Sequence, residues 1–426
     1  MKIRYFILPL LLVGLLVGCD DLFGSKKDST TDEIFEAGRN EPGLISEVEY
    51  VPLFPFFELG ADGAPFDSPQ DVYVGYDEFI YVVDARGLHV LDLSGRPALF
   101  IAIPAGGGTS VIQDRKLDVY VTARRDTTLN GQTWRLPVVM HFSGLTTGNP
   151  QLDNLIWHPF DDDSRKFNRP DPLVTDEQVE FTGVGVINNN RIYVSRRGPI
   201  NDRTSVILPH NAILEFTVDG INVQAIGVLD PNRESLRSAI YPTDVTTFVH
   251  PPQRDFFGSP LENKELILAQ SSDPDGDGPL PAGAPIRFSV LSIITVLTSD
   301  GLEYRPDTDK LTITANEARG DGFLYDEFRF QHPSDIMFAA DGSNYIFVLD
   351  SAKDSLFTFT SAGVEGVAPP PGSRSTKPVI VSFGGNGDGA GQFRNPQGVG
   401  YFNRIVYVAD TGNNRLSRFR LNTDFE

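Results

Sequence analysis

The chain of 426 residues has one cysteine, six histidines, two tryptophans and three methionines. A single cysteine cannot form an intramolecular disulfide, and scattered lone histidines are usually structural, which argues against a histidine-held metal. The chain also lacks a G-x-S-x-G motif and the Gly-Lys-Ser/Thr of a phosphate-binding loop. Basic residues are fewer than acidic ones, 36 against 57, and the net charge of −21 argues against a nucleic-acid partner.

Long hydrophobic runs are confined to the N-terminus, where Lys2 and Arg4 precede an apolar run from Tyr5 to Val17. The run is typical of a secretory signal and is short for a membrane-spanning helix. Leu16-Val17-Gly18-Cys19 resembles the lipobox of bacterial lipoproteins, which implies cleavage before Cys19 and lipidation of its sulfur. The alternative is an ordinary signal peptide followed by an unrelated cysteine.

These features predict a signal peptide over residues 1–18, a lipidated flexible tether over 19–45 and a folded domain over 46–426. We expect the protein to be exported and anchored by its lipid to the bacterial cell envelope, in the outer membrane or at the cell surface.

The rest of the chain is rich in glycine (40) and proline (31), which favours short strands joined by turns. Six segments of similar pattern each offer an opening strand followed by further strands, with insertions between them. The opening strands begin at Pro69, Gly108, Phe181, Pro242, Pro333 and Pro396. Four-stranded units repeated around an axis form a β-propeller, so the sequence predicts an all-β, six-bladed propeller of antiparallel blades. A strand within residues 47–60 is expected to complete the last blade.

The clearest copy of the repeat is Gln392–Phe419. Its P-x-G-V, Y-V-x-D and N-x-R elements lie at Pro396, Gly398, Val399, Tyr407, Val408, Asp410, Asn413, Asn414 and Arg415. This segment resembles the NHL repeat, and the resemblance implies a six-bladed, TolB-like propeller without implying an activity.

Three aspartates, Asp84, Asp350 and Asp410, end the second strand of their units. A carboxylate at this position can accept N–H bonds from the turn that follows, so we predict a structural role for them. Asn414 and Arg415 are predicted to stabilise the same turn in the last unit.

A second set of aspartates, Asp71, Asp244 and Asp335, shares the register Pro-x-Asp-Val/Ile in the opening strands. These strands should line the channel, and converging carboxylates could hold a divalent cation at its mouth. The alternative is that each carboxylate bonds the backbone of its own or a neighbouring blade.

Asp273, Asp275 and Asp277 match the D-x-D-x-D-G spacing of a calcium loop. The bidentate carboxylate of an EF-hand is missing, because the twelfth position is Ala284, so a weak Ca²⁺ site and a solvated acidic loop both remain open.

With no catalytic residue identified, we expect a monomeric, non-catalytic module that binds an envelope protein, peptide or glycan. Ca²⁺ or another divalent cation is the only cofactor that the residues suggest. The alternative is an envelope hydrolase or lyase with a divalent metal at the channel.

Overall fold

A computed structural model describes most of the chain from Val48 to Phe425. The described ranges are 48–104, 106–159, 174–201, 209–226, 239–252, 264–276, 280–299, 301–311, 322–373 and 376–425. Cys19 and the predicted tether lie outside them. Within these ranges the helical segments are short 3-10 turns such as Val174–Gln178, and none is long and apolar enough to cross a membrane.

The strands form six separate four-stranded antiparallel sheets, each of which is one blade. The N-terminal strand β1 (Tyr50–Pro52) belongs to the last blade. Blade 1 contains β2 (Asp71–Val74), β3 (Phe79–Val83), β4 (Gly87–Asp92) and β5 (Pro97–Ala102). Blade 2 contains β6 (Gly108–Gln113), β7 (Val119–Leu129), β8 (Gln132–Ser143) and β9 (Gln151–Trp157). Blade 3 contains β10 (Glu180–Val186), β11 (Ile192–Arg197), β12 (Ala212–Phe216) and β13 (Asn222–Ile226).

The remaining three blades follow the same order from the inside outward. Blade 4 contains β14 (Pro242–Thr247), β15 (Leu266–Gln270), β16 (Val290–Thr298) and β17 (Gly301–Pro306). Blade 5 contains β18 (Pro333–Phe338), β19 (Ile346–Asp350), β20 (Ser355–Phe359) and β21 (Phe383–Gly384). Blade 6 contains β22 (Gly398–Phe402), β23 (Ile405–Asp410), β24 (Arg415–Leu421) and β1.

The ring closes through contact between first strands and through strand β1. Each inner strand lies beside the inner strand of the next blade, and β22 of blade 6 lies beside β2 of blade 1. β1 pairs with β24, Tyr50 opposite Leu421, so one blade joins both ends of the domain. The predicted six-bladed propeller, with the N-terminal strand completing the last blade, is confirmed.

The second strand of each blade begins with an apolar run, which in Phe79–Val83 and Ile346–Asp350 is nearly continuous. β-branched and aromatic residues fit these strands because both faces of the sheet are covered by neighbouring blades. The core accordingly consists of layers between blades. Ile80 and Val82 of blade 1, for example, pack in one cluster with Tyr407 of blade 6.

Candidate functional site

The six inner strands all begin on one face of the propeller. In an antiparallel blade the chain returns to that face after its second and fourth strands. We call it the insertion face, because the connections that hold His158–Gln178, Asp273–Pro285 and Thr314–Phe328 leave from it and return to it. Parts of all three insertions lie outside the described residues.

On the insertion face the channel opens into a cavity of about 230 Å³. The lining takes one uncharged polar side chain from the start of every inner strand, and we call these six residues the mouth ring. They are Gln70, Thr109, Thr182, Thr243, Ser334 and Gln397. Because all six blades contribute, the cavity lies on the axis of the propeller.

The hydroxyl groups of the mouth ring connect successive blades. Each donates a hydrogen bond to a backbone carbonyl at the start of the next inner strand. The pairs are Thr109 to Phe181 O (2.9 Å), Thr182 to Pro242 O (3.2 Å), Thr243 to Pro333 O (2.5 Å) and Ser334 to Pro396 O (3.0 Å). Between blades 6 and 1 the same bond comes from Thr411, whose hydroxyl donates to Pro69 O at 2.6 Å and which does not line the cavity.

Arg124 of blade 2 lines the cavity from the side. Its guanidinium donates hydrogen bonds to the carbonyl oxygens of Val179 at 2.5 Å, of Arg135 at 2.9 Å and of Glu177. Burial lowers the pKa of Arg124 from its ordinary value. These bonds attach the β7–β8 hairpin of blade 2 to the segment that leads into blade 3.

Blades 3 and 5 place three more ionisable groups at the cavity. Arg197 Nε lies 2.7 Å from Glu180 Oε2, and the Arg197 guanidinium lies 4.5 Å from the ring centroid of Tyr241. Both members of the ion pair line the cavity, as does His332. Burial and the nearby Arg197 charge lower the pKa of His332, so this imidazole is neutral at neutral pH.

Directly after the mouth ring in the sequence come Asp71, Asp244 and Asp335. Each carboxylate accepts an N–H bond from the inner strand of the next blade along the chain. The donors are Val111 for Asp71 (2.8 Å), Ile336 for Asp244 (3.1 Å) and Val399 for Asp335. The geometry corresponds to the backbone-bonding alternative raised from the sequence.

Burial raises the pKa of these three carboxyl groups, that of Asp244 to about 7. Their charges also interact across the channel, since the Asp335 charge raises the pKa of Asp71 and the Asp244 charge raises that of Asp335. Three buried acids within reach of one another resist simultaneous ionisation. The group therefore retains protons near neutral pH.

In three blades the position of the channel aspartates is taken by a small residue: Ser110, Gly183 and Gly398. A Cβ on Gly183 would lie 1.9 Å from Asp244 Oδ1, and a Cβ on Gly398 would lie 2.4 Å from Asp71 Cα. These glycines provide the space into which the aspartates of the adjacent blades fit.

The cation predicted at Asp71, Asp244 and Asp335 stays a prediction. Among the described residues, the one group that brings three ligand atoms within 4.8 Å of one another is a different set, His158, Asp176 and His210. Those three are buried between blades 2 and 3, outside the mouth cavity.

Hydrogen bonding favours a structural role for that histidine group. His158 Nε2 lies 3.0 Å and His210 Nε2 3.8 Å from the same oxygen of Asp176. His210 Nδ1 accepts the N–H of Ile200 at 3.2 Å, so the ring proton sits on Nε2, the atom that a metal would need unprotonated.

An equivalent arrangement occurs in blade 1, at a site with no second histidine. There His89 Nδ1 accepts the N–H of Ala61 at 3.0 Å, while Nε2 lies 3.0 Å from Asp84 Oδ1. In both places a histidine connects a backbone amide to a buried carboxylate, and we interpret both arrangements as attachments of loops on the insertion face.

The calcium-like loop lies beside the mouth. Asp273 and Asp275 line a second cavity of about 220 Å³, which shares Glu180 and Arg197 with the first. The Asp273 carboxylate accepts the N–H groups of Asp275 (3.0 Å) and Gly276 (3.2 Å), as in an Asx turn. Asp277 lies outside the described residues, so Ca²⁺ binding here stays a prediction.

Asp84, Asp350 and Asp410 occupy one buried position at the end of the second strand. Each accepts an N–H from its own blade, two residues before the proline that opens the unit (Pro69, Pro333 or Pro396). These donors are Asp67 at 3.0 Å, Gln331 at 2.8 Å and Arg394 at 2.9 Å. Asp84 and Asp350 also accept amides of the turn that follows, so a single carboxylate fixes two loops.

In blade 6 the turn after Asp410 is fixed by two further side chains. Arg415 Nε lies 2.9 Å from Asp410 Oδ2, and its guanidinium also donates to the carbonyls of Asp388, Gly389 and Gln392. Asn414 adopts a left-handed conformation (φ 51°), and its side chain accepts the N–H of Ser68 at 2.8 Å. Residues 393–419 match the NHL repeat family.

The NHL repeat match covers this one blade. Among solved structures, similar folds include an auxiliary nutrient binding protein from Bacteroides thetaiotaomicron (8% identity, TM-score 0.48, 88% of this chain and 78% of that one). Another is virginiamycin B lyase from Staphylococcus aureus (12% identity, TM-score 0.41, 88% of this chain and 100% of that one). No protein with a curated description matches the sequence. Resemblances this distant carry no argument about what the chain binds.

Sequence reasoning missed the mouth ring, although a signal for it exists. When the opening strands are aligned on the NHL repeat of blade 6, the residue before the Asp or Gly position is uncharged and polar in every blade. The aspartates that follow in three of the blades are the more conspicuous feature of these strands.

Proposed function

We propose that this protein is a non-catalytic binding module, held at the bacterial cell envelope by a lipid on Cys19, whose ligand occupies the channel mouth. The observation that carries the binding site is the axial cavity of about 230 Å³, lined by side chains from all six blades. Polar groups converging in a concave site are typical of ligand recognition. The connections that hold the long insertions leave from the same face, where a repeat scaffold commonly carries its specificity.

The second support is the unequal distribution of charge around the cavity. Arg124 comes from blade 2, and Glu180 and Arg197 come from blade 3, whereas blades 1 and 6 contribute the uncharged Gln70 and Gln397. A ligand that lies across this mouth meets a different surface on each side and so can be held in one orientation. We propose an envelope protein or peptide as the ligand's source, with a glycan as the competing outcome of the test.

Site-specific photocrosslinking tests the location of binding. A photoreactive amino acid at Thr109, an exposed member of the mouth ring, is expected to give a discrete adduct in the bacterial envelope. The matched control is Asn403, an exposed residue of the β22–β23 turn on the opposite face. An adduct from Asn403 without one from Thr109 would overturn the proposal.

The anchor has its own test, because residues 1–47 lie outside the described part of the chain. Cys19→Ala is expected to release the protein from the membrane fraction. Unchanged partitioning of the variant would refute lipid anchoring and leave the binding site unaffected.

The hydrolase or lyase alternative requires a divalent metal at the channel. The candidate ligands there, Asp71, Asp244 and Asp335, already accept backbone N–H bonds between blades. A ligand oxygen engaged in this way is less available to a cation, which favours the binding module. Stoichiometric metal in the purified protein, with a turnover that chelation removes, would reverse this preference.

A further inference from the structure

Most hydrogen-bond donors of the mouth ring are already used within the protein. The hydroxyls of Thr109, Thr182, Thr243 and Ser334 point their hydrogens at carbonyl oxygens of the next blade. The two amides behave likewise, because Gln70 Nε2 donates to Ser68 O at 2.8 Å and Gln397 Nε2 donates to Asn395 Oδ1 at 2.9 Å. The four hydroxyls therefore have oxygen lone pairs, and not hydrogens, to offer a ligand. Each amide offers its oxygen, and Gln70 also retains one N–H.

Those lone pairs suffice for a ligand even where the ring is most crowded. Thr109 and Thr182 lie 2.7 Å and 2.8 Å from the hydroxyls of Thr122 and Ser195. A hydroxyl oxygen has two lone pairs, so one such contact leaves the other available. The mouth thus surrounds the axis with neutral hydrogen-bond acceptors.

The charged side chains at the mouth, Arg124, Glu180 and Arg197, come from blades 2 and 3 only, whereas the acceptor ring takes one residue from every blade. The Arg197 charge is paired with Glu180, and the Arg124 guanidinium is directed at backbone carbonyls on the blade 2 side. The adjacent layer toward the channel contains the carboxyl groups of Asp71, Asp244 and Asp335. A cation on the axis would face acceptor oxygens around it, the guanidiniums of Arg124 and Arg197 on the side of blades 2 and 3, and the acids in the next layer.

We propose that the channel mouth binds a primary ammonium group, an inference that rests on the proposed binding function and names its ligand chemistry. An ammonium carries three N–H donors and no acceptor, which matches a ring of acceptors. A carboxylate or phosphate would face the lone pairs of the ring, and its donors would be the Arg124 and Arg197 guanidiniums on the side of blades 2 and 3. A sugar hydroxyl would satisfy its donor there and leave its own acceptors opposed to those of the ring.

Ligand binding should be coupled to proton release from the channel acids. A bound cation favours the ionised form of nearby carboxyls and so lowers pKa values that burial has raised. The other ionisable groups at the mouth are His332, whose pKa is lowered, Arg124, and the ion pair of Glu180 with Arg197. Affinity for an amine is therefore expected to rise between pH 6 and pH 8, with protons released on binding.

Titration calorimetry of the full protein with small lysine derivatives tests the chemistry. The probes are N-acetyl-lysine methylamide, its ε-trimethyl derivative, which keeps the charge but has no N–H donor, and its ε-acetyl derivative, which is neutral. We expect the trimethyl probe to bind at least about tenfold more weakly than the free amine, since hydrogen bonds to a charged group of about 1.5–3 kcal/mol are lost. Glycine methylamide, with a free α-amine, separates a chain terminus from a lysine side chain as the source.

A matched pair of variants links binding to the ring. Thr243→Val and Thr411→Val each remove one hydroxyl-to-carbonyl bond between blades, but only Thr243 lines the cavity. The first should weaken amine binding about tenfold, by loss of one acceptor for a charged donor, and the second should leave it unchanged. Asp244→Asn should abolish most of the pH dependence, because burial raises the pKa of Asp244 to about 7, inside the range tested.

Equal affinity for the amine and its trimethyl derivative, equal loss in the two threonine variants, or binding of neutral sugars alone would overturn the ammonium assignment. The binding function fails separately. If no amine binds but the Thr109 crosslink persists, the ligand has another chemistry at the same mouth, whereas loss of that crosslink removes the site itself.

Discussion

Blades 1, 5 and 6 differ from blades 2, 3 and 4 at one buried position, the end of the second strand. The first three have aspartate there, Asp84, Asp350 and Asp410. At the same register the others have Ala123, Arg196 and Gln270. Both sets form four-stranded antiparallel blades, so the propeller itself does not require an aspartate at this position.

Gln270 in blade 4 explains how the position is filled without a charge. Its Oε1 accepts the N–H of Ile240 at 3.0 Å, two residues before Pro242, which is the bond that aspartate makes in blades 1, 5 and 6. Its Nε2 also donates to Phe288 O at 3.0 Å, in the longer loop that blade 4 carries. The amide thus adds a donor that a carboxylate lacks.

Arg196 in blade 3 reverses the polarity of the position. It is buried, and its guanidinium donates to the carbonyl oxygens of His210 at 2.8 Å and Pro209 at 3.0 Å. The comparison teaches that the repeat preserves a connection between loops, while the insertion in each blade decides whether a donor or an acceptor makes it. Blades 2 and 3, which depart from aspartate, also supply the charged side chains of the mouth.

The largest expected effect is a difference in unfolding free energy between alanine variants of the two sets of blades at this position. Asp350→Ala leaves three backbone N–H groups, those of Gln331, His332 and Ala352, without their acceptor, while the N–H of Lys353 keeps the carbonyl oxygen of residue 350. We expect a loss of about 4 kcal/mol in the free energy of unfolding, measured by urea denaturation. Gln270→Ala removes one acceptor and one donor and should cost about 2 kcal/mol.

Asparagine is the control for charge at the same position. Asp350→Asn keeps one acceptor oxygen and should recover roughly half of the loss, if hydrogen bonding is the cause. Equal stability of Asp350→Ala and the wild type would remove the distinction between the two sets of blades.

The sequence carried enough information for the propeller because each blade repeats a local signal. Alternation, turn glycines such as Gly131 (φ 80°) in the Asn130-Gly131 turn, and the Pro-x-Asp register all act within about thirty residues. Closure by β1 was also predictable, since the last unit lacked a fourth strand.

The site was less predictable because it depends on which groups are already bonded. Thr243 and Thr411 both donate a hydroxyl-to-carbonyl bond between blades, yet only Thr243 lines the cavity. The contact of His158 with His210 joins two insertions of unrelated sequence, and no periodicity signals it. Such features follow from the placement of loops, which repeats do not determine.

The next-largest expected effect concerns the channel aspartates, which occur in both sets of blades. Asp71 and Asp335 belong to blades 1 and 5, and Asp244 belongs to blade 4. Burial raises the folded-state pKa of Asp244 to about 7, above its ordinary value of 3.8, so its contribution is present at low pH and is lost as the pH rises toward 7. The free energy of unfolding is expected to fall by about 2 kcal/mol between pH 5 and pH 8.

Asp244→Asn should flatten this dependence, because the amide does not titrate and its oxygen can still accept the N–H of Ile336. Urea denaturation at pH 5, 6, 7 and 8 measures the slope for both proteins. An unchanged slope in the variant would mean that groups other than Asp244 cause the pH dependence.

The smallest expected effect tests whether the two sets of blades are equal where they should be, at the hydroxyl bonds between inner strands. Thr182→Val in blade 3 and Ser334→Ala in blade 5 each remove one such bond, of 3.2 Å and 3.0 Å, to a proline carbonyl of the next blade. Each should cost about 1 kcal/mol, because one neutral hydrogen bond is lost and the solvated cavity beside it can supply water to the carbonyl. A similar loss in both variants, measured by urea denaturation at pH 6, would mean that the inner ring is uniform and that the blades diverge only outside it. A loss several times larger in one of them would mean that the two sets of blades also differ in the hydroxyl bonds between their inner strands.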